Sequence, residues 1–311
     1  MHQDLTNPWT EFLRRSGLEP RAVLGSGMEG TVVELGGDLV AKIWQRRSLA
    51  ELEALQRFYE AVAVAAPGIR TPRILRVLTR EGQHATVEPR LDGRPLWTAG
   101  GSSPTPTDRD VSCVAEVLAA LAAVDPAPDL GILPVLEEED PFETATVPFA
   151  RSLAELVARR VERFRAPLLA RLPDLDVLTA AVVARLEGLE PGKVGLIHGD
   201  LIPANILVDD TTAPQAVLDF GFLTTLGDPA FDAAVAASIY DMYGPRAAET
   251  EAMLDEALTD RFNHEPGRLA AYRAAYALTT SNCYSASGSD GHFEWCMRML
   301  ERPAVRDALA L

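Results

Sequence analysis

Between two apolar runs the chain reads Leu196-Ile197-His198-Gly199-Asp200-Leu201-Ile202-Pro203-Ala204-Asn205-Ile206-Leu207-Val208, and fourteen residues beyond Asn205 stands Asp219, after Val217-Leu218. A carboxylate, an amide and a second carboxylate in this order match the needs of phosphoryl transfer. One carboxylate must orient an attacking hydroxyl and take its proton, and Asp200 is the candidate. An Asn amide and an Asp carboxylate are hard oxygen donors suited to Mg²⁺, so Asn205 and Asp219 are the candidate metal ligands. His198 reads as a structural brace for the loop, working through hydrogen bonds.

A second constellation lies upstream. Gly25-Ser26-Gly27-Met28-Glu29-Gly30-Thr31-Val32 fits the spacing G-x-G-x-x-G-x-V. A dinucleotide site would need a helix directly after the glycines. A strand pattern follows instead, which points to a flap over nucleotide phosphates, with Gly25, Ser26, Gly27, Gly30 and Val32 against the ligand. Lys42 comes twelve residues after Gly30, inside Val40-Ala41-Lys42-Ile43. An inner-strand lysine is costly to bury without an anion. The phosphates of ATP or GTP would be that anion, with a helix glutamate holding the ammonium. Glu51 and Glu53 both lie on the next helix and point about 200° apart around it. Glu51 is preferred as the partner and Glu53 is the alternative.

These residues need a particular scaffold. Residues 8–16 read as a short amphipathic helix. Strand texture runs from Ala22 through a Gly36-Gly37 turn to Trp44, with further strands at 73–79 and 84–89. Residues 48–64 carry a Ser cap and apolar helical spacing. This predicts a small antiparallel lobe with one helix over 1–88, and a mainly helical lobe over 89–311. In the second lobe, 108–124, 150–188 and the part beyond Pro229 read as helix, 100–107 as a loop, and short strands flank the Asp200 loop. With 311 residues, 47% of them hydrophobic, the chain has enough apolar material for sizeable cores. Three scattered cysteines and no signal-like start place it in the cytoplasm. Lys and Arg number 29 against 45 Asp and Glu, a net charge of −16, which argues against nucleic-acid or anionic-membrane partners. The acidic stretch 137–140 is a solvated face or part of a wall for a cationic ligand. Trp295, Cys296 and Met299 share a helical spacing that suits core, and His84, His264 and His292 lack metal spacing.

The order of glycine flap, Val-Ala-Lys, His-Gly-Asp, Asn and Asp resembles the protein-kinase-like fold. His198-Gly199-Asp200 and Gly227-Asp228-Pro229-Ala230-Phe231-Asp232 resemble its small-molecule branch, the aminoglycoside phosphotransferase and choline kinase group. No Ala-Pro-Glu follows, so a protein kinase is not supported. The resemblance covers most of 20–240. It implies a bilobal α+β fold, Mg²⁺, ATP or GTP as phosphoryl donor, and a hydroxyl of a small molecule as acceptor. A cationic, aminoglycoside-like antibiotic is the leading acceptor class. A choline- or sugar-like metabolite, or an inactive nucleotide-binding module, are the alternatives. It also implies a hinge at Glu88-Pro89-Arg90, where backbone at Glu88 and Arg90 would meet the nucleotide base; Pro89 has no N–H to give. Phe220-Gly221 after Asp219 departs mildly toward the protein kinases.

Overall fold

The computed structural model describes residues 8–27, 29–97, 105–136, 142 and 146–311. Helix α1 (Pro8–Arg15) packs on a sheet of β1 (Pro20–Ser26), β2 (Gly30–Leu35), β3 (Leu39–Trp44), β4 (Arg76–Arg80) and β5 (Gln83–Pro89). The five strands lie in the order β1-β2-β3-β5-β4, antiparallel throughout. One sheet face buries Val33, Leu35, Ala41, Ile43, Leu78, Ala85 and Val87 with Trp9 and Leu13 of α1. The alternation of these positions along each strand is the period of two that a half-buried sheet requires.

Helix α2 (Leu49–Ala65) joins β3 to β4. It starts at a capping box: the Ser48 side chain accepts from the Glu51 N–H, and the Glu51 carboxylate accepts from the Ser48 N–H at 2.8 Å. Its buried face (Leu52, Leu55, Phe58, Tyr59, Val62) joins a cluster with Val114, Leu118 and Leu121 of the following helix and with Leu201, Ile206 and Phe220. The small lobe is thereby welded to the loop that carries Asp200.

The second part continues with β6 (Arg94–Pro95), α3 (Asp108–Ala122), α4 (Phe149–Arg163), α5 (Arg165–Arg171), α6 (Leu175–Glu187), β7 (Gly195–Ile197), β8 (Ile206–Val208), β9 (Pro214–Val217) and β10 (Thr225–Gly227). It ends with α7 (Pro229–Ile239), α8 (Ala247–Phe262), α9 (Pro266–Thr280), α10 (Gly291–Glu301) and α11 (Pro303–Ala308). The helical stretch expected at 150–188 is three helices, the last break falling at Leu172-Pro173-Asp174, where proline cannot continue the ladder. Strand β10 has three residues, too short for a readable period, and the sequence did not reveal it. Trp295, Cys296 and Met299 are buried, as their spacing predicts. The three cysteines are free thiols. Among the described residues no helix is long and apolar enough to cross a membrane. The loop expected at 100–107 lies mostly outside the described residues, and the acidic stretch 137–140 lies wholly outside them.

Phe220 is the pin between the lobes. It is 1% exposed and touches the rings of Phe58 at 5.4 Å, Tyr59 at 6.2 Å and His198 at 4.5 Å. Phe220→Ala should cost about 3–5 kcal/mol of stability, the usual range for a buried aromatic. Urea denaturation followed by tryptophan fluorescence measures it, and a loss under about 1 kcal/mol would mean that the two lobes do not share this core.

Candidate active site

Two short antiparallel ladders place the Asp200 loop. In the first, β7 pairs β10 with Ile197 opposite Thr225. The same register sets His198 beside Thr224, whose hydroxyl donates to the His198 carbonyl at 2.9 Å and accepts the Gly221 N–H at 2.8 Å. In the second, β8 pairs β9 with Ile206 opposite Val217. One step further Asn205 faces Leu218, and the Leu218 N–H donates to the Asn205 carbonyl at 2.8 Å. Asn205 therefore ends one strand where Asp219 is about to leave the other.

The loop between the ladders is held from below by Asp232, in the first turn of α7. Its carboxylate accepts the His198 N–H at 2.6 Å and the Gly199 N–H at 2.8 Å. Burial pushes its pKa up to about 6, against the pull of those two bonds. His198 is fully buried. Its Nδ1 accepts the Asp200 N–H at 3.2 Å, so its Nε2–H donates to the Leu218 carbonyl at 2.8 Å. Burial lowers its pKa to about 4, which keeps it neutral: it is the brace that the sequence suggests. Gly199 has φ +80°, and a Cβ there would sit 2.3 Å from the Leu223 side chain. Only glycine fits, which excludes arginine at this position on steric grounds. Asp219 holds φ +64°, a conformation that costs a non-glycine residue about 1–2 kcal/mol and is typical of functional sites.

The charges gather around Lys42. Its Nζ is 2.7 Å from Asp219 Oδ1 and 2.9 Å from Glu29 Oε2, and it lies 4.0 Å from the centre of the Trp44 ring. Burial alone would lower the Lys42 pKa; the Asp219 and Glu29 carboxylates outweigh it and raise the value. Burial would raise that of Asp219, and Lys42 and Arg47 overcome it, so Asp219 stays ionised. Among the described residues Asp200 has no such cation. Burial first, then the Asp219, Glu29 and Asp232 charges, push it up to about 7.

Two expectations need correction. Glu51 does not hold Lys42: it closes the α2 capping box and faces Arg47 at 3.7 Å, while Glu53 is exposed. The pattern Ser48-Leu49-Ala50-Glu51 carried that capping signal. Glu29, on the flap itself, takes the place of the expected helix partner and bridges Lys42 to Arg47, 2.9 Å away. The second correction is the hinge. The Arg90 N–H donates to the Asp38 carbonyl at 2.8 Å, and Glu88 pairs with Val40 in the same ladder. Alternation along an antiparallel pair turns the backbone groups of Glu88 and Arg90 toward β3. Pro89, between them in the ladder, turns its carbonyl the other way.

The flap has the expected form. Ser26 pairs with Thr31, Gly25 with Val32, and the Gly27 N–H bonds to the Gly30 carbonyl at 2.9 Å. A Cβ on Gly30 would lie 2.1 Å from the Ile43 carbonyl, so this glycine is needed for strand approach, while Gly25 and Gly27 have open space around them. Residue type and spacing alone give neither Glu29 nor Asp232 a role. The signal for Asp232 was there: a lone acid in Pro229-Ala230-Phe231-Asp232-Ala233-Ala234-Val235.

Asn205 Nδ2 donates to the Asp200 carbonyl at 2.9 Å, which leaves its amide oxygen for another ligand. That oxygen with the Asp219 carboxylate is a hard-donor pair. Mg²⁺ commonly takes one or two protein oxygens and completes its shell with phosphate and water, so the residues fit it. Among the described residues no cluster of three or more His, Cys, Asp or Glu forms a self-sufficient cage.

The model of a phosphotransferase enzyme family, that of the aminoglycoside phosphotransferases, matches residues 21–273. The chain belongs to that family. No curated protein matches. Among solved structures, macrolide 2′-phosphotransferase MphH from Brachybacterium faecium is similar at 23% identity, covering 95% of this chain and 98% of its own, with a TM-score of 0.56. A putative aminoglycoside phosphotransferase from Ralstonia eutropha JMP134 is 16% identical over 97% of each chain, TM-score 0.63. The GDP and kanamycin complex of APH(2″)-IIIa is 17% identical over 97% of this chain and 98% of that one, TM-score 0.60. The fold of this phosphotransferase-family chain is accordingly the bilobal kinase-like one, a small antiparallel-sheet lobe beside a mainly helical lobe.

Two outcomes follow from the charges. The folded state binds the Asp200 proton more tightly than the unfolded chain, whose value is the ordinary 3.8. The stability contributed by this group is full below that ordinary value and drains away as pH rises through about 7. Asp200→Asn, always neutral, should melt above the parent at about pH 8, with the gap closing near pH 4. A lower melting point at about pH 8 would contradict the burial of this charge. Glu29 in turn occupies Lys42 with a carboxylate that any phosphate arriving there would have to displace. Glu29→Gln should bind ADP roughly fivefold tighter by calorimetry, from about 1 kcal/mol of removed competition. Weaker binding would make Glu29 a nucleotide ligand instead.

Proposed function

We propose that the protein transfers the γ-phosphoryl group of a nucleoside triphosphate, ATP or GTP, to a hydroxyl of a small molecule. The observation that carries this reading is the convergence, on one pair of ladders, of a buried carboxylate poised near neutrality, an amide oxygen and an ionised carboxylate tied to an inner-strand lysine. The GDP complexes among the structural relatives support a nucleotide donor. Residues 1–88 form the nucleotide lobe and 89–311 carry the chemistry and the acceptor. The backbone of Gly25, Ser26, Gly27 and Gly30 covers the phosphates, Val32 packs on the base, the Pro89 carbonyl reads its edge, and Lys42 pairs the α- and β-phosphates. Asn205 and Asp219 hold Mg²⁺, which when bound supplies positive charge beside the transferring group.

Asp200 accepts the proton of the acceptor hydroxyl as its oxygen bonds to the γ-phosphorus. The bond from that phosphorus to the bridging oxygen breaks, and a nucleoside diphosphate leaves with the electron pair. A base near pKa 7 in the free protein is matched to that step at neutral pH. Asp232 and His198 fix the Asp200 backbone, so the base meets the hydroxyl without reorganisation. The free thiols accord with a reducing, cytoplasmic setting.

A transfer assay with radiolabelled nucleotide over a panel of hydroxylated compounds tests this. Asp200→Ala should lose at least about 100-fold in kcat while ADP still binds. Asn205→Ala and Asp219→Ala should shift the Mg²⁺ dependence of the rate to higher concentration. Near-normal turnover by Asp200→Ala, or an unchanged Mg²⁺ curve in both other variants, would overturn the assignment.

A further inference from the structure

Lys42 is the cation that the phosphates of a nucleotide would meet, and a second cation stands beside it. Arg47 lies in the link between β3 and α2, directly before the Ser48 cap. Its Nη2 is 2.9 Å from Glu29 Oε1, while Lys42 Nζ is 2.9 Å from Glu29 Oε2. One carboxylate thus spans two cations, with an oxygen on each. The other arm of the guanidinium, Nη1, faces Glu51 Oε1 at 3.7 Å, beyond good hydrogen-bond reach.

Three segments converge on Arg47. The α2 capping box between Ser48 and Glu51 fixes the backbone that follows it. On the flap side, the Gln45 N–H donates to the Glu29 carbonyl at 2.9 Å and Gln45 Nε2 donates to the Gly27 carbonyl at 3.3 Å, so the flap is laced to the same link. On the far side stands Gly221, two residues beyond Asp219. A Cβ on Gly221 would lie 3.0 Å from Arg47 Nη2, and the residue holds φ +129°. Glycine there lets the guanidinium lie against the chain, and the Thr224 hydroxyl, accepting the Gly221 N–H at 2.8 Å, holds that backbone in place. Arg47 therefore faces the flap, Lys42 and the segment carrying Asp219 at once.

Glu29 is held differently. Gln45 fixes its backbone, but its side chain is 35% exposed. Rotation about its side-chain torsions carries the carboxylate into solvent without breaking a backbone bond of the flap. Its departure uncovers two cations that face one gap. Lys42 would keep Asp219 at 2.7 Å, whereas Arg47 would be left with the Glu51 contact at its longer distance. The edge of a phosphate group presents two oxygens as a carboxylate does, with more charge, and it suits the planar fork of a guanidinium.

We propose that Arg47 is a second phosphate ligand of the nucleotide site and grips the β-phosphate together with Lys42, in the place where the Glu29 carboxylate now sits. This rests on the reading of Lys42 as the residue that pairs the α- and β-phosphates. Of those two, the β-phosphate is the one on the side of Asp219, where Arg47 stands. When the bond to the γ-phosphorus breaks, its electron pair stays on the bridging oxygen of the β-phosphate, and the guanidinium meets that charge.

Calorimetric titration of the full-length protein, with Mg²⁺ and with whichever of ADP and GDP the parent binds more tightly, separates this role from a structural one. If Arg47 only anchors Glu29, its removal has no effect once Glu29 is already glutamine. If it binds phosphate, the loss persists in that background. The double variant Glu29→Gln, Arg47→Ala should bind the diphosphate at least roughly tenfold more weakly than Glu29→Gln alone, as a lost charge-assisted bond predicts. Arg47→Lys in the same background keeps a charge without the fork and should lose roughly threefold. In phosphorus NMR of the saturated complexes, the β-phosphorus resonance should differ between Glu29→Gln and the double variant, and the α-phosphorus resonance should stay. An affinity indifferent to both Arg47 substitutions, or a change confined to the α-phosphorus, would overturn the proposal and leave the phosphotransferase reading standing. A parent protein that binds neither diphosphate would overturn both.

Discussion

A carboxylate with no counter-ion among the described residues, buried under a loop, fixes everything above it. Asp232 accepts the backbone N–H groups of His198 and Gly199, which would otherwise be buried donors without partners. Its position in the first turn of α7 eases the cost of the charge, because the helix N-terminus is positive. With those two bonds made, His198 can point its ring between the Asp200 N–H and the Leu218 carbonyl. That clamp ties the Asp200 loop to the strand end that carries Asp219. The two ladders then have no freedom of register, because a slip of one residue would put His198, Asn205 and Asp219 on the wrong faces.

The electrostatics explain why a buried cluster of acids is tolerated. Asp219 and Glu29 share Lys42, and Arg47 takes the second oxygen of Glu29. Asp200 is excluded from this network and meets it only as a neighbouring negative charge. One carboxylate is held ionised where a metal would need it, and another is held near neutrality where a proton must be accepted. Environments that drive the pKa values of neighbouring acids apart separate their roles. The stability forfeited at Asp200 is the local counterpart of the function, as expected where a site departs from the rules that favour folding.

Most of this frame was legible. The five strands, α1 and α2 follow from apolar alternation and caps, and Asp200, Asn205, Asp219 and Lys42 follow from residue type and spacing. The misses share a cause: spacing reports which residues are near in sequence, and hydrogen-bond registers report which are near in space. Glu51 lay on the right helix to hold Lys42, yet its backbone neighbour Ser48 claimed it, because a capping contact is local and forms with the helix itself. Glu29 is thirteen residues from Lys42 and meets it only because the β2–β3 hairpin folds back, pairing Gly30 with Trp44. Residue type counts against Pro89 because it lacks a donor, whereas the ladder turns the backbone of Glu88 and Arg90 toward β3 and leaves the Pro89 carbonyl facing outward.

The same contrast separates net charge from recognition. A charge of −16 attracts cations at a distance, but ionic screening confines that pull to about 8 Å at physiological salt. Within that range several acids of the helical lobe are already paired. Asp228 is bound by Arg268 at 2.6 Å and by the Tyr272 hydroxyl at 2.8 Å, Glu251 and Asp255 face Arg302 and Arg273, and Asp174 holds Arg306 at 2.5 Å. Paired charges present little field to a ligand. The acidity of the whole chain and the field at any one surface are therefore separate properties, set by different residues.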